Sequence, residues 1–364
     1  MNEFSILIVE DDINAIASWK RDISDFNEDG AFQYAPLYAQ TREEALRLLR
    51  VMQIDCAVVD LRLPLSATST ALPTDTSGND VLNQLLIETG VPAVVYSGYI
   101  SEVSVAVRNS NISIRGKKGN GGRDILNYFA ERESLIMAMK LTRQKIAIES
   151  AKIFNGSIWT RWERTWKEQS DRKLLTEMIT RQIASHVADQ LSIPPANHHP
   201  DEFYVVPPLF TERLDTGDLM IEGSEVYVVV TPRCNLANQP YPKYLTLALC
   251  SPMLTEWSEL RNSLAAEGEG KKKKGLERLR NLAIQNHSTS THFIPPCGEK
   301  GPWLVDFKET KSVLSSEMPQ LIQNRFASIA THFVPNLIQR YAAYLGRIGQ
   351  PDLDAEFLRV HICK

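Results

Sequence analysis

The chain has 364 residues, of which 43% are hydrophobic and 23% charged, with a formal net charge of -4. This is the composition of a folded protein of two or three domains, and it excludes disordered and fibrous classes and gives no global basic field for nucleic acid. The acidic start MNEFSILIVEDD is wrong for a secretory signal and no stretch is long enough to cross a bilayer, so a cytoplasmic location without membrane contact is expected.

From Phe4 to about Gly121, short β-branched runs alternate with amphipathic segments: SILIV, Ile13–Ser24, FQYAPLY, Arg42–Arg50, CAVVD, Val81–Glu88, VPAVVYS, Glu102–Arg108 and NISIRG. Strands alternating with helices predict βα units. Five of them within about 120 residues predict a doubly wound, flavodoxin-like parallel sheet, with ligands at the carboxyl ends of the strands. This domain is expected over 1–123. Asp124 to Phe154 has no proline and a helical apolar spacing, which predicts one long helix, followed by a second helical block from Ile158 to Leu191. Trp159, Trp162 and Trp166 fall on nearly one face of that block, and core or helix pairing is expected for them. The 124–193 region is therefore a helical linker, with a homodimer through these helices as one expected use.

IPPANHHPDE marks the next boundary. Beyond it, EFYVVPPLF, DLMIEG, EVYVVVTP and YLTLALC read as strands, with a hairpin at IEGSEV, so 201–364 is expected to be an α+β domain with a small antiparallel sheet or barrel. A charged, helix-prone stretch follows from Glu256 to Asn286, in which EGEGKKKKG reads as a solvated loop. A last amphipathic helix is predicted over roughly Leu321 to Arg347.

Chemistry concentrates in the first domain. Glu10, Asp11 and Asp12 follow directly on SILIV, and Asp60 follows directly on CAVV. In a parallel sheet both strand ends open on one edge, so these acids converge there. Mutually repelling carboxylates at one place call for a divalent cation, and magnesium, a hard ion content with one or two carboxylates and several waters, suits them. Ser97, ending PAVVY, offers a hydroxyl to an anion over the site, and the Lys117–Lys118 pair, ending NISIRG, offers an ammonium. The alternative is that these acids simply cap the helices that follow.

These residue types in this order, carried by ILIVEDD, VVDLRLP and VVYSG, resemble the response regulator receiver family over about a third of the chain. The resemblance implies that Asp60 attacks phosphorus and becomes an aspartyl phosphate, and that Asp11 binds magnesium directly while Glu10 helps through water. It implies further that the Arg62 backbone carbonyl completes the metal shell, that Ser97 is the switch hydroxyl, that Lys117 pairs with the phosphoryl group, and that the donor is a sensor histidine kinase. Three departures stand out. The family's proline after the lysine is missing from GKKGNGG, so either Lys117 or Lys118 can be the functional one; the spacing of twenty residues from Ser97 favours Lys117. Ile114 stands where an aromatic residue usually precedes the lysine by three. The loop LRLPLSATSTALPTDTSG is about twice the usual length and reads as a lid over the site or as a surface insertion.

The second half shows no helix-turn-helix and no basic recognition helix, so a DNA-reading output is not expected. Metal-dependent cleavage is not supported either: Asp218 with Glu225-Val226-Tyr227 lacks the lysine it would need. His186, on the helix RQIASHVADQL, reads as a phosphorelay histidine or, preferred, as a helix-surface or packing histidine, and His198 and His199 as solvated. The five cysteines (Cys56, Cys234, Cys250, Cys297, Cys363) contain no C-x-x-C pair, which predicts reduced, mostly buried thiols. The turn TPRCNL is the most distinctive segment here. Its Cys234 reads as a reactive thiol beside Arg233 or, preferred, as a small buried apolar residue.

The whole architecture is similar to receiver proteins of bacterial conflict systems, and in particular to the phosphate-handling component of the Detocs anti-phage phosphorelays. That resemblance implies phosphate taken from a partner kinase and then relayed to, or drained from, a downstream effector. Two other readings remain: a receiver-regulated effector enzyme with its active site after Pro200, expected to show a polar pocket near Arg233 and Cys234, and a degenerate receiver serving as a scaffold.

Overall fold

The computed structural model describes residues 3–29, 32–69, 76–110, 112–117, 121–167, 171–191, 198–347 and 353–362. The chain divides into two compact units, Met1–Ile193 and Pro194–Lys364. Among the described residues, no helix is long and apolar enough to cross a membrane.

In the first unit, β1 (Glu3–Val9), α1 (Ile13–Asp29), β2 (Gln33–Ala39), α2 (Arg42–Val51), β3 (Cys56–Val59), α3 (Gly78–Gln84), β4 (Ala93–Ser97), α4 (Val105–Arg108), β5 (Ser113–Gly116) and α5 (Gly122–Ala130) follow one another. The five strands pair in parallel in the order β2-β1-β3-β4-β5, which is the flavodoxin-like order. Alternation along β1 sorts its side chains between two cores. Leu7 and Val9 pack with Ala45, Leu49, Val81 and Leu82 from α2 and α3. Phe4, Ile6 and Ile8 pack with Trp19, Ile23, Ile125 and Phe129 from α1 and α5. Pro36 sits in β2, an edge strand, where its missing N–H costs no interior ladder bond.

The single long helix expected from Asp124 is in fact two, α5 and α6 (Glu133–Ile153). The break falls at Arg132, which leaves helical backbone geometry (φ -113°, ψ 15°) and whose guanidinium lies over the Tyr128 ring at 3.9 Å and donates to the Tyr128 carbonyl at 2.9 Å. The Arg132 N–H bonds to Phe129 instead, tightening the last turn. After α6 the helical path continues through wider and tighter turns from Phe154 to Trp166, and α7 spans Arg172–Leu191. Trp159 is 63% exposed and tilts against Phe154, so the tryptophan face is not a core stripe there; the Trp166 side chain lies outside the described residues.

The second unit comprises β6 (Tyr204–Val205), β7 (Asp218–Glu222), β8 (Glu225–Val229), α8 (Arg233–Ala237), β9 (Tyr244–Pro252), α9 (Leu254–Ala265), α10 (Glu269–Ala283), β10 (Thr291–Ile294), β11 (Trp303–Leu314), α11 (Met318–Asn324), β12 (Arg325–Ile329), α12 (Val334–Leu345) and α13 (Ala355–Ile362). Its sheet is antiparallel, as expected, and has seven strands in the order β10-β11-β9-β8-β7-β12-β6. Both faces are covered. Leu219 and Val228 pack with Val334 and Leu337 of α12, while Met220 and Val229 pack with Leu236, Met318 and Leu321.

Three further expectations are corrected here. The final amphipathic helix is interrupted by β12, because RFASI pairs between β7 and β6 and buries Arg325 against Asp218. The lysine run 271–274 lies within α10, with all four residues exposed, and not in a loop. Cys234 is exposed, whereas Cys56 and Cys250 are buried; Cys363 lies outside the described residues.

Candidate functional site

The carboxyl edge of the parallel sheet collects the predicted acids. Val9 of β1 lies opposite Val59 of β3, and the Asp60 N–H continues the ladder to the Val9 carbonyl at 2.9 Å. That register leaves Glu10, Asp11 and Asp60 side by side, each offering a carboxylate oxygen within 4.8 Å of the other two. Among the described residues no other group of three His, Cys, Asp or Glu side chains comes so close. Glu10 and Asp60 are buried and Asp11 is half-buried.

β5 delivers the cation. The Lys117 N–H reaches the Ser97 carbonyl at 3.2 Å, and its Nζ donates to both Asp60 Oδ2 and Glu10 Oε2 at 2.6 Å. Asp60 Oδ1 accepts the Leu61 N–H at 2.6 Å. Lys118 lies outside the described residues. Burial raises the Glu10 pKa despite the Lys117 hydrogen bond, and burial likewise raises that of Asp11, with the Asp60 charge adding to it. For Lys117 burial acts downward, but the carboxylates of Asp60 and Glu10 together outweigh it and hold its pKa above the ordinary value.

Among the described residues, three acids stand against one lysine at this edge, which leaves it short of positive charge. The donor set suits a hard divalent ion: magnesium bonds oxygens at about 2.0–2.1 Å, so ligands on opposite sides of it stand about 4 Å apart, within the spread of these carboxylates.

Ser97 is fully buried at the end of β4, between β3 and β5, and its Oγ accepts the Tyr99 N–H at 3.2 Å. The Arg62 side chain turns from the acids to Glu102 at 2.7 Å and lies over the Tyr99 ring at 3.2 Å. An aromatic residue thus covers this rim from the loop after β4. Sequence reading had no signal for that stack, which joins two loops distant in the chain.

Gly78 is the other contributor that sequence reading did not place. A Cβ there would lie 2.1 Å from the Asp60 carbonyl oxygen, so only glycine lets α3 begin this close to the acid. The long loop is anchored near its two ends. Leu63 is fully buried, the Ser77 hydroxyl bonds its carbonyl at 2.6 Å, and the carbonyls of Pro64 and Leu65 take the first N–H groups of α2. Pro64 and Ser66 thereby form one wall of a groove of about 620 Å³ that opens beside Asp11, with Thr41 and Arg47 opposite. Residues 70–75 of the loop lie outside the described residues.

No family model matches the chain, and no curated protein matches it. Solved receiver domains do. One from Methanospirillum hungatei is 23% identical, with a TM-score of 0.29, and the match covers 39% of this chain and 99% of that one. The signal receiver domain of a LuxO-type repressor protein from Vibrio parahaemolyticus is 18% identical, with a TM-score of 0.29, covering 39% and 96%. The receiver domain of a sensor histidine kinase from Pseudomonas aeruginosa, described with magnesium coordinated in its active-site cleft, is 17% identical, with a TM-score of 0.27, covering 36% and 96%. At these identities the likeness is one of fold, which the strand order establishes by itself.

Proposed function

We propose that the first unit is a phospho-accepting receiver, that Asp60 is its acceptor, and that the chain works as a response-regulator component of a two-component phosphorelay fed by a sensor histidine kinase. The observation that carries this reading is the contact of Lys117 Nζ with both Asp60 and Glu10, beside Asp11, at the carboxyl edge of the sheet.

The chemistry asks for little covalent help. An Asp60 carboxylate oxygen forms the new bond to phosphorus, the phosphorus–nitrogen bond of a donor phosphohistidine breaks, and its electron pair leaves on the imidazole. Positioning and charge neutralisation do the rest. Lys117 holds the Asp60 carboxylate in place beforehand and pairs with phosphoryl oxygens afterwards; Ser97 supplies a hydroxyl to the same oxygens. Asp11 and Asp60 would hold magnesium directly, with the Arg62 carbonyl, and Glu10 would hold it through water. When bound, the ion supplies the positive charge this edge lacks. A scaffold without chemistry would need its lysine turned away from Asp60, and the Lys117 contact weighs against that.

The second unit is the output, in our reading without DNA binding, and the protein acts in the cytoplasm. The order of a receiver with an extended loop, then helices, then an α+β unit supports a role in anti-phage signalling of the Detocs kind, in which phosphate passes to or is drained from an effector. Exposed Leu135, Leu141 and Ile148 on α6 support self-association through the helices.

The test is intact-protein mass spectrometry after treatment with acetyl phosphate. We expect one phosphoryl adduct with magnesium, none after its chelation, and none in Asp60→Asn. An adduct that persists in Asp60→Asn overturns the assignment.

A further inference from the structure

The TPRCNL turn, which the receiver chemistry leaves unused, borders a second polar centre. Asp215 is 6% exposed, and Arg233 grips it in two-point fashion, Nε to Oδ1 at 2.9 Å and Nη2 to Oδ2 at 2.8 Å. Beneath them, fully buried Asp218 accepts the Asp215 N–H at 2.7 Å and pairs with Arg325 at 2.7 Å. Arg213 stands 3.7 Å from Asp215. Three guanidinium groups therefore face two carboxylates, an excess of one positive charge in a partly buried place.

A cavity of about 170 Å³ opens on this cluster. Its lining is mostly apolar, with Leu209, Phe210 and Ile329 among the residues that form it, and Asp215, Arg233 and Thr331 contribute polar groups. The two-point grip on Asp215 leaves Arg233 Nη1 without a hydrogen bond among the described residues.

The volume equals roughly six water molecules at their liquid density. A wall that is mostly apolar, with the Arg233 guanidinium and its spare donor among the lining groups, defines the ligand: small, singly negative and largely hydrocarbon. Phosphate fits poorly, since it would bring up to two charges and no apolar part to meet Leu209 and Phe210.

We propose that this cavity binds a small organic monocarboxylate, its carboxylate on Arg233 and Thr331 and its carbon chain against Leu209, Phe210 and Ile329. The site is independent of Asp60 and goes beyond the phosphoacceptor reading.

The experiment is saturation-transfer NMR and calorimetric titration of the full chain with butyrate, its neutral amide butyramide, and inorganic phosphate. Butyrate is expected to saturate one site, butyramide to bind at least about tenfold more weakly, as loss of a charge-assisted hydrogen bond entails, and phosphate not to displace butyrate. Arg233→Gln should weaken butyrate by a similar factor. Since that change also strips a buried aspartate of its partner, Leu209→Glu provides a second variant: Leu209 is 74% exposed, so the substitution sets a negative charge at the cavity without breaking a buried contact. It too should weaken butyrate several-fold. The proposal is overturned if butyrate does not saturate, if butyramide binds equally well, if phosphate competes equally, or if folded Leu209→Glu binds butyrate unchanged.

Discussion

Strand β3 has a buried aspartate at each end, and the two are neutralised in opposite ways. Asp55, before the strand, accepts from Lys140 at 2.9 Å, Arg143 at 3.0 Å and the Ser5 N–H at 3.0 Å, so two cations answer one acid. Asp60, after it, shares Lys117 with Glu10 and sits beside Asp11, so among the described residues one cation answers three acids. The amino end is closed and ties α6 to the sheet. The carboxyl end is left wanting positive charge and open enough to receive it. The ratio of cations to acids, more than burial, separates an aspartate that holds structure from one available for chemistry.

Exchanging the two acids for neutral residues should break the comparison most sharply. Asp55→Ala is expected to cost about 3 kcal/mol, at the low end for a broken buried pair, because Lys140 and Arg143 remain 22% and 26% exposed. Phosphoryl uptake should survive in the folded fraction. Asp60→Asn should abolish uptake yet change stability by no more than about 1 kcal/mol, since Lys117 keeps Glu10 and the cluster loses a repelling charge. Urea denaturation and phosphorylation assays on both variants decide it; an Asp60→Asn protein as unstable as Asp55→Ala would erase the distinction.

A smaller effect is expected where the Asp60 end is positioned by packing. Gly78→Ala forces a methyl group to within 2.1 Å of the Asp60 carbonyl oxygen, for which overpacking predicts a loss of about 1–3 kcal/mol together with slower phosphoryl uptake. Unchanged melting and unchanged uptake would mean that the close approach is not needed.

The smallest effect is on pH. Glu10 and Asp11 titrate above their ordinary values of 4.5 and 3.8, chiefly because they are buried. In the window just above those values the folded protein binds more protons than the unfolded chain, so their contribution to stability rises as pH falls and declines as pH rises. Magnesium needs both acids ionised, so its affinity should move the other way and fall several-fold between neutral pH and about pH 5. Calorimetric titration with magnesium at the two pH values measures this, and equal affinities would remove the acids from the ion's shell.

Much of the first unit was legible. SILIV and CAVV are continuous apolar runs that end abruptly in acids, and a parallel sheet turns two such endings into one edge whatever else the chain does. Other features were not, because they depend on partners far along the chain. α5 and α6 part at Arg132, whose contact with Tyr128 helical periodicity does not register. RFASI carries a spacing that also suits a helix, and becomes β12 only because β7 and Asp218 are waiting for it. Cys234 reads as core in TPRCNL yet lies exposed, since Leu236 alone of that short helix is buried.

The sequence by itself determined the order of strands and helices in the first unit and the residue types at its reactive edge, because periodicity and strand endings are local properties. Tertiary structure alone decided that Lys117 bridges Asp60 and Glu10, that Gly78 abuts Asp60, and that the second sheet has seven strands. Each of these rests on pairing between residues distant in the chain, and such pairing is chosen by packing and charge balance in the whole unit.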